Sequence, residues 1–121
     1  MGLPLIKSVN TILYCVNWQA TVNFYRHTLQ LPMTFETDWF IEFSLGGSAH
    51  LSIANERRAR IKSSRGLGVT LALQVDSVDE AREHLRRCGL EPEPIMKHAW
   101  GARTFYCRDP EGYRLEFWSQ Q

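Results

Sequence analysis

"RDPEGYRLEFWSQQ", residues 108–121, is the stretch whose reading decides the fold. Asp109-Pro110-Glu111-Gly112 has turn chemistry: proline presets φ and glycine accepts a positive φ. It runs straight into Tyr113–Trp118, where apolar and polar residues alternate as in a half-buried strand. Arg114, Glu116 and Trp118 fall on one face, and Tyr113, Leu115 and Phe117 on the other. Glu116 is therefore a carboxylate among aromatic and aliphatic neighbours. Three roles are open to it: solvated edge residue, acid or base, and metal ligand. The choice depends on what other strands bring to the same face.

Working outward, the chain states one arrangement twice. "VNTILYCV" (9–16) is β-branched and apolar, and predicts a strand. Asn17 is placed to cap a helix over "WQATVNFYRHTLQL", whose stripe is Trp18, Val22, Tyr25 and Leu29, with Pro32 as its stop. Three short strands follow, "MTFETD", "FIEFSL" and "SAHLSIA", with Gly46-Gly47 turning between the last two. After the basic stretch "NERRARIKSSRG" the order returns. "LGVTLALQV" predicts a strand; Ser77 and Glu80 form a capping box; Val78, Ala81, Leu85 and Cys88 make a second stripe. Gly89 and Pro92 close that helix, and "EPIMKH", "RTFYCR" and "YRLEFW" complete the set. The fold class is α+β: two βαβββ modules, about 8–55 and 67–119, joined by a basic linker about 56–66 in a single domain of 121 residues. Each module has one sheet face covered by its helix and one bare. Two such sheets side by side are expected to form a curved mixed sheet around a cleft, a usual place for a ligand.

Bulk properties exclude several functions. A formal net charge of +1 supplies no field to gather nucleic acid or a membrane surface. No apolar run approaches the roughly 20 residues of a membrane span, and "MGLPLIKSVN" lacks the apolar core of a secretory signal. Cys15, Cys88 and Cys107 are odd in number and widely spaced, which predicts reduced thiols and a cytoplasmic location. The linker arginines read either as a solvated mobile loop or as an electrostatic lid for an anionic ligand.

The paired modules, "VNWQATVNFYRHTLQLP" after the first strand, and "WGARTFYCRDPEGYRLEF" near the end together resemble the vicinal oxygen chelate superfamily, which includes glyoxalase I, extradiol dioxygenases and bleomycin-resistance proteins. The resemblance covers nearly the whole chain. Its metal enzymes place one ligand on the first and last strand of each module. Carried onto this chain, those positions fall on Asn10, Ser52, Thr70 and Glu116. Only Glu116 matches; histidine is common at Asn10 and Thr70, and Glu, His or Gln at Ser52. One carboxylate, one amide and two hydroxyls are a poor set for a transition metal. No cofactor is therefore expected. His50 shares the face of Ser52 and offers a second donor, or a general base, in the alternative reading: a divalent metal held by Glu116 and His50 in a lyase, isomerase or dioxygenase. Without a metal, Glu116 needs hydrogen bonds to stay charged, for which Asn10, Thr70 and Arg114 are candidates.

Tyr14 shares a face with Asn10, and Trp118 shares the face of Glu116, both as candidate ligand contacts; Trp39 and Trp100 read either as packing residues or as flanking the cleft and stacking on a flat or cationic ligand. His27, His84 and His98 read as solvent-facing. The resemblance is closest to the metal-independent, bleomycin-resistance type. It implies a homodimer that binds a planar, cationic or anionic small organic molecule, in the manner of drug or toxin sequestration.

Overall fold

The computed structural model describes residues 2–120. The chain forms two compact units, residues 1–64 and 65–121, and each contains the expected strand, helix and three strands.

In the first unit the elements are β1 (Val9–Cys15), α1 (Trp18–Asn23), β2 (Met33–Glu36), β3 (Phe40–Gly46) and β4 (Ala49–Asn55). They make one four-stranded sheet in the order β1-β4-β3-β2. β1 runs parallel to β4, which requires the helix as a crossover, and the other pairs are antiparallel. Leu13, Cys15, Ile41, Phe43, Leu51 and Ile53 alternate onto one face and are buried with Val22, Phe24 and Tyr25. Each large side chain so buried contributes about 1.5–3 kcal/mol. The Trp18 indole donates to the Ile53 carbonyl at 2.9 Å, pinning the start of α1 to β4.

The first helix departs from expectation. Its α part stops at Asn23 and a wider π turn takes over from Phe24 to Thr28. The extra residue in that turn lets the sequence neighbours Phe24 and Tyr25 both enter the core, where their rings meet edge-on at 5.1 Å. Gln30, at φ +57, ends the segment two residues before Pro32. Asn17 does not cap through its side chain; its carbonyl accepts from the Thr21 amide and hydroxyl instead.

The second unit repeats the plan with β5 (Thr70–Gln74), α2 (Val78–Arg87), β6 (Met96–Lys97), β7 (Ala102–Arg108) and β8 (Arg114–Gln120), in the order β5-β8-β7-β6. Again the first and last strands pair in parallel. The Ser77 hydroxyl accepts from the Glu80 amide at 3.1 Å, as the capping sequence requires. Val78 and Leu85 are buried, whereas Cys88, expected in the same stripe, is the exposed residue that ends α2. Phe105 and Phe117 stack at 5.0 Å beneath the helix. β6 has only two residues, because Pro92 and Pro94 supply no ladder donors before it. In the turn before β8, Asp109 Oδ1 accepts the amides of Glu111, Gly112 and Tyr113, which is what fixes an aspartate at that position.

The basic linker is folded on itself. Glu56 to Arg58 form a 3-10 turn, Glu56 accepts from the Ser63 amide, and Lys62 donates to the Glu56 and Ala59 carbonyls. No helix among the described residues is long and apolar enough to cross a membrane.

Candidate functional site

In each sheet, the face turned away from the buried core carries the chemistry, and strand register arranges it as three rows of three. In the first unit the rows are Asn10–His50–Ser44, Ile12–Ser52–Glu42 and Tyr14–Ala54–Phe40. In the second they are Thr70–Arg114–Arg108, Ala72–Glu116–Tyr106 and Gln74–Trp118–Thr104. Asn10 and Thr70 hold matching corners of the two grids, and Ser52 and Glu116 hold the two centres.

The first grid is a closed polar network. Buried Ser52 donates to Asn10 Oδ1 at 2.8 Å. Asn10 Nδ2 donates to Glu42 Oε2 at 3.3 Å, and Thr34 donates to Glu42 Oε1 at 2.8 Å. His50 Nδ1 lies 3.8 Å from the same Glu42 oxygen and is buried without a hydrogen-bond partner. Glu42 is the hub of this face, and sequence reasoning passed over it as a polar residue between Ile41 and Phe43. Tyr14 is half-buried in the row with Ala54 and Phe40.

In the second grid, Thr70 accepts from Arg114 Nε at 3.1 Å, and the Arg114 guanidinium lies 4.3 Å from the centre of the Tyr106 ring. Arg114 thus turns to Thr70 and Tyr106 rather than to Glu116. Thr70 and Asn10, the other two expected partners of Glu116, are bonded elsewhere, Thr70 to Arg114 and Asn10 to Ser52 and Glu42. Glu116 is half-buried, and its carboxylate makes no hydrogen bond or ion pair among the described residues.

The aromatics divide by environment. Trp118 lies opposite Thr104, whose hydroxyl is 2.7 Å from His98 Nε2. His98 in turn stacks on Trp100, 5.5 Å between ring centres. His98 is therefore not the free solvent-facing residue expected; it is half-buried and links the two tryptophans into one edge. Trp100 itself is 68% exposed. Trp39 precedes β3, packs edge-on against Phe40 at 5.5 Å and has the Arg58 guanidinium 6.0 Å from its ring centre.

The donors at the four family ligand positions do not fit a transition metal. The Asn10 oxygen and Ser52 hydroxyl bond each other, and Thr70 Oγ1 is engaged by a cation, Arg114. A divalent ion prefers imidazole, thiolate or several carboxylates. His50 and Glu42 make two such donors, and among the described residues no third His, Cys, Asp or Glu joins a group. Cys107 is no nucleophile at neutral pH: burial, with help from the Asp109 and Glu93 carboxylates, raises its thiol to about 11.

Comparison with known proteins agrees with this fold. Residues 7–117 match the model of the Glyoxalase/Bleomycin resistance protein/Dioxygenase superfamily. An uncharacterized protein of Bacillus subtilis, YwkD, is 30% identical, with 96% of this chain and 99% of that protein covered. The crystal structure of a lactoylglutathione lyase from Agrobacterium tumefaciens superimposes with a TM-score of 0.77 at 20% identity, over 97% of this chain and 96% of the other. A glyoxalase/bleomycin resistance protein/dioxygenase from Nocardioides gives 0.79 at 22% identity, over 98% and 86%. The likeness to these two structures is one of fold. With its duplicated βαβββ sheets and a family match over nearly its full length, the chain belongs to the glyoxalase/bleomycin resistance protein/dioxygenase superfamily.

Proposed function

We propose that this protein binds a small organic molecule without a metal, in the manner of the sequestering members of its superfamily. One observation carries the reading. Three of the four positions that hold ligands in the metal enzymes carry neutral side chains already hydrogen-bonded within the protein. Converting them to ion ligands would break those bonds and supply only weak donors in exchange. Glu116 keeps its place but serves as an acceptor for a ligand donor. Trp118 and Trp100, tied through Thr104 and His98, offer ring faces to a planar or cationic group. Thr70 completes the proposed lining on this sheet; on the first sheet Asn10, Tyr14, Ser52 and Trp39 are proposed as further, weaker ligand contacts. A homodimer in a reducing cytoplasm accords with this reading; Cys15, Cys88 and Cys107 form no disulfide.

The test is titration of tryptophan fluorescence with a panel of planar and charged compounds, alongside elemental analysis of the purified protein and light scattering. Saturable quenching by a metal-free dimer, lost in Trp118→Leu, is expected. A stoichiometric metal that disappears in Glu116→Gln overturns the reading. It would favour the second reading, a metal-dependent lyase, isomerase or dioxygenase using Glu116 and His50. The observation on that side is the buried His50 Nδ1, which has no hydrogen-bond partner.

A further inference from the structure

We infer that the Arg108–Arg114 pair is an oxyanion subsite, so that the molecule bound carries a carboxylate or phosphate group. The inference rests on the binding function proposed above and names the class of its ligand.

Arg108 and Arg114 are directly opposite each other in the β7–β8 ladder. Like charges so placed repel, and a sheet gains nothing by keeping them. Among the described residues neither guanidinium is in an ion pair. Each is instead held by neutral groups. Arg108 donates to the Gly112 carbonyl at 2.7 Å; Arg114 donates to the Thr70 hydroxyl and lies over the Tyr106 ring. These contacts fix the directions of the side chains and leave both charges uncompensated. A guanidinium has five N–H donors, and one from each arginine is used.

The two arginines sit at a depression of the surface, with Arg108 exposed and Arg114 half-buried. Together with residues 66–70 they line a hollow of 240 Å³. That is room for a phosphate-sized anion that keeps part of its hydration on the solvent side. Backbone packing makes the wall rigid: Gly66 lies so close to Gly112 that a Cβ on it would stand 2.0 Å from the Gly112 oxygen. The loop after residue 64 and the Asp109–Gly112 turn are thereby locked together, and the turn is where the Arg108 side chain is anchored. Two planar forks, pre-set in direction beside an open hollow, match the geometry of a carboxylate or phosphate. Glu116, one row along the same face, is left free to accept from a donor elsewhere on the same molecule.

The experiment is calorimetric titration of the full chain with inorganic phosphate and, separately, with acetate, at constant ionic strength. The proteins are wild type, Arg108→Gln, Arg114→Gln, Arg114→Lys and, as control, Arg57→Gln from the exposed linker. Each glutamine variant at the pair should lose about tenfold or more in affinity, the worth of a charge-assisted bond. Arg114→Lys should be intermediate, since it keeps the charge and loses the fork; Arg57→Gln should match wild type. A preference for phosphate over acetate, or the reverse, identifies the head group. Equal anion affinity in wild type and both glutamine variants, or an equal loss in Arg57→Gln, overturns the inference. Quenching by neutral planar compounds without anion binding would sink the subsite and leave the binding function standing. Anion binding with no organic ligand in the panel would do the opposite.

Discussion

Replacing Gly66 by alanine tests the backbone contact on which the second unit's face is built. Two costs add. At φ +89 an L side chain is strained, by about 1–2 kcal/mol. The new Cβ would also stand 2.0 Å from the Gly112 oxygen, 2.3 Å from its carbonyl carbon and 2.8 Å from the Tyr113 nitrogen. All three are backbone atoms, so no rotamer change relieves the clash; the loop and the turn must part by an ångström or more. Overpacking of this kind costs about 1–3 kcal/mol. The sum is roughly 2–5 kcal/mol, or about 8–20 °C in Tm for a chain of this size. Gly68 is the internal control: its φ is +76, yet a Cβ there meets nothing within 4 Å. Gly68→Ala should cost only the dihedral part, about 1–2 kcal/mol. Urea denaturation of the two variants, followed by fluorescence and circular dichroism, reads the difference. If the two destabilise to within about 0.5 kcal/mol of each other, a mutational effect of ordinary size, the close packing of loop on turn is refuted.

Further outcomes follow from the polar and thiol groups. Glu42→Ala should cost about 1–2 kcal/mol in urea denaturation, because Thr34 and Asn10 both lose a charged acceptor, and Glu42→Gln should cost less; equal stability of Glu42→Ala and wild type would refute its role as hub. At pH 8, iodoacetamide should modify exposed Cys88 well before half-buried Cys107, whose thiol is raised to about 11, and fully buried Cys15 should react last by mass spectrometry. Because the folded thiol of Cys107 is raised above its unfolded value of 9.0, its contribution to stability is intact below pH 9 and is lost between pH 9 and 11. Cys107→Ala should remove that decline from the alkaline limb of a pH–stability curve, and an unchanged limb would count against it.

Most of the fold was legible because each level of the sequence agreed with the next. Alternation in Arg114–Trp118 gave the faces of β8, Ser77 gave the start of α2, and repetition of the whole arrangement gave the duplicated sheet. What stayed hidden had specific causes. The π turn at Phe24–Thr28 breaks no propensity rule; it follows from the need to bury two adjacent aromatics, a tertiary demand. Glu42 was hidden by register. Counting back from a Gly46-Gly47 turn sets Glu42 opposite Leu51, on the wrong face, whereas the irregularity between Ser44 and Gly46 shifts the pairing and sets it opposite Ser52. The clue within reach was its position between two core residues, which commits the carboxylate to the face that Ser52 and His50 share. His98 was misjudged because its environment comes from Thr104 and Trp100, across a hairpin whose strand is only two residues long.

The two grids show how one architecture has been put to different chemical ends. At the centre of the second stands Glu116, with Tyr106 beside it; at the centre of the first stands Ser52, with Glu42 beside it. Each face thus has a carboxylate in its middle row, but in the first it has moved one strand over. The consequences differ. Glu42 is within reach of Thr34 and Asn10, and its bonds close a network that also holds Ser52. Such a network stiffens a sheet and offers a ligand little beyond His50, because any new bond must first displace an old one. Glu116 has Ala72 on one side and a phenol ring on the other, while Arg114 is drawn off to Thr70. Its carboxylate and the two guanidiniums therefore remain on one face without neutralising each other. Opposite charges kept apart at fixed positions, at the cost of the bond they could have made, suit a partner that brings both an oxyanion and a donor. On the proposed reading, the second sheet selects the ligand and the first chiefly supports the fold.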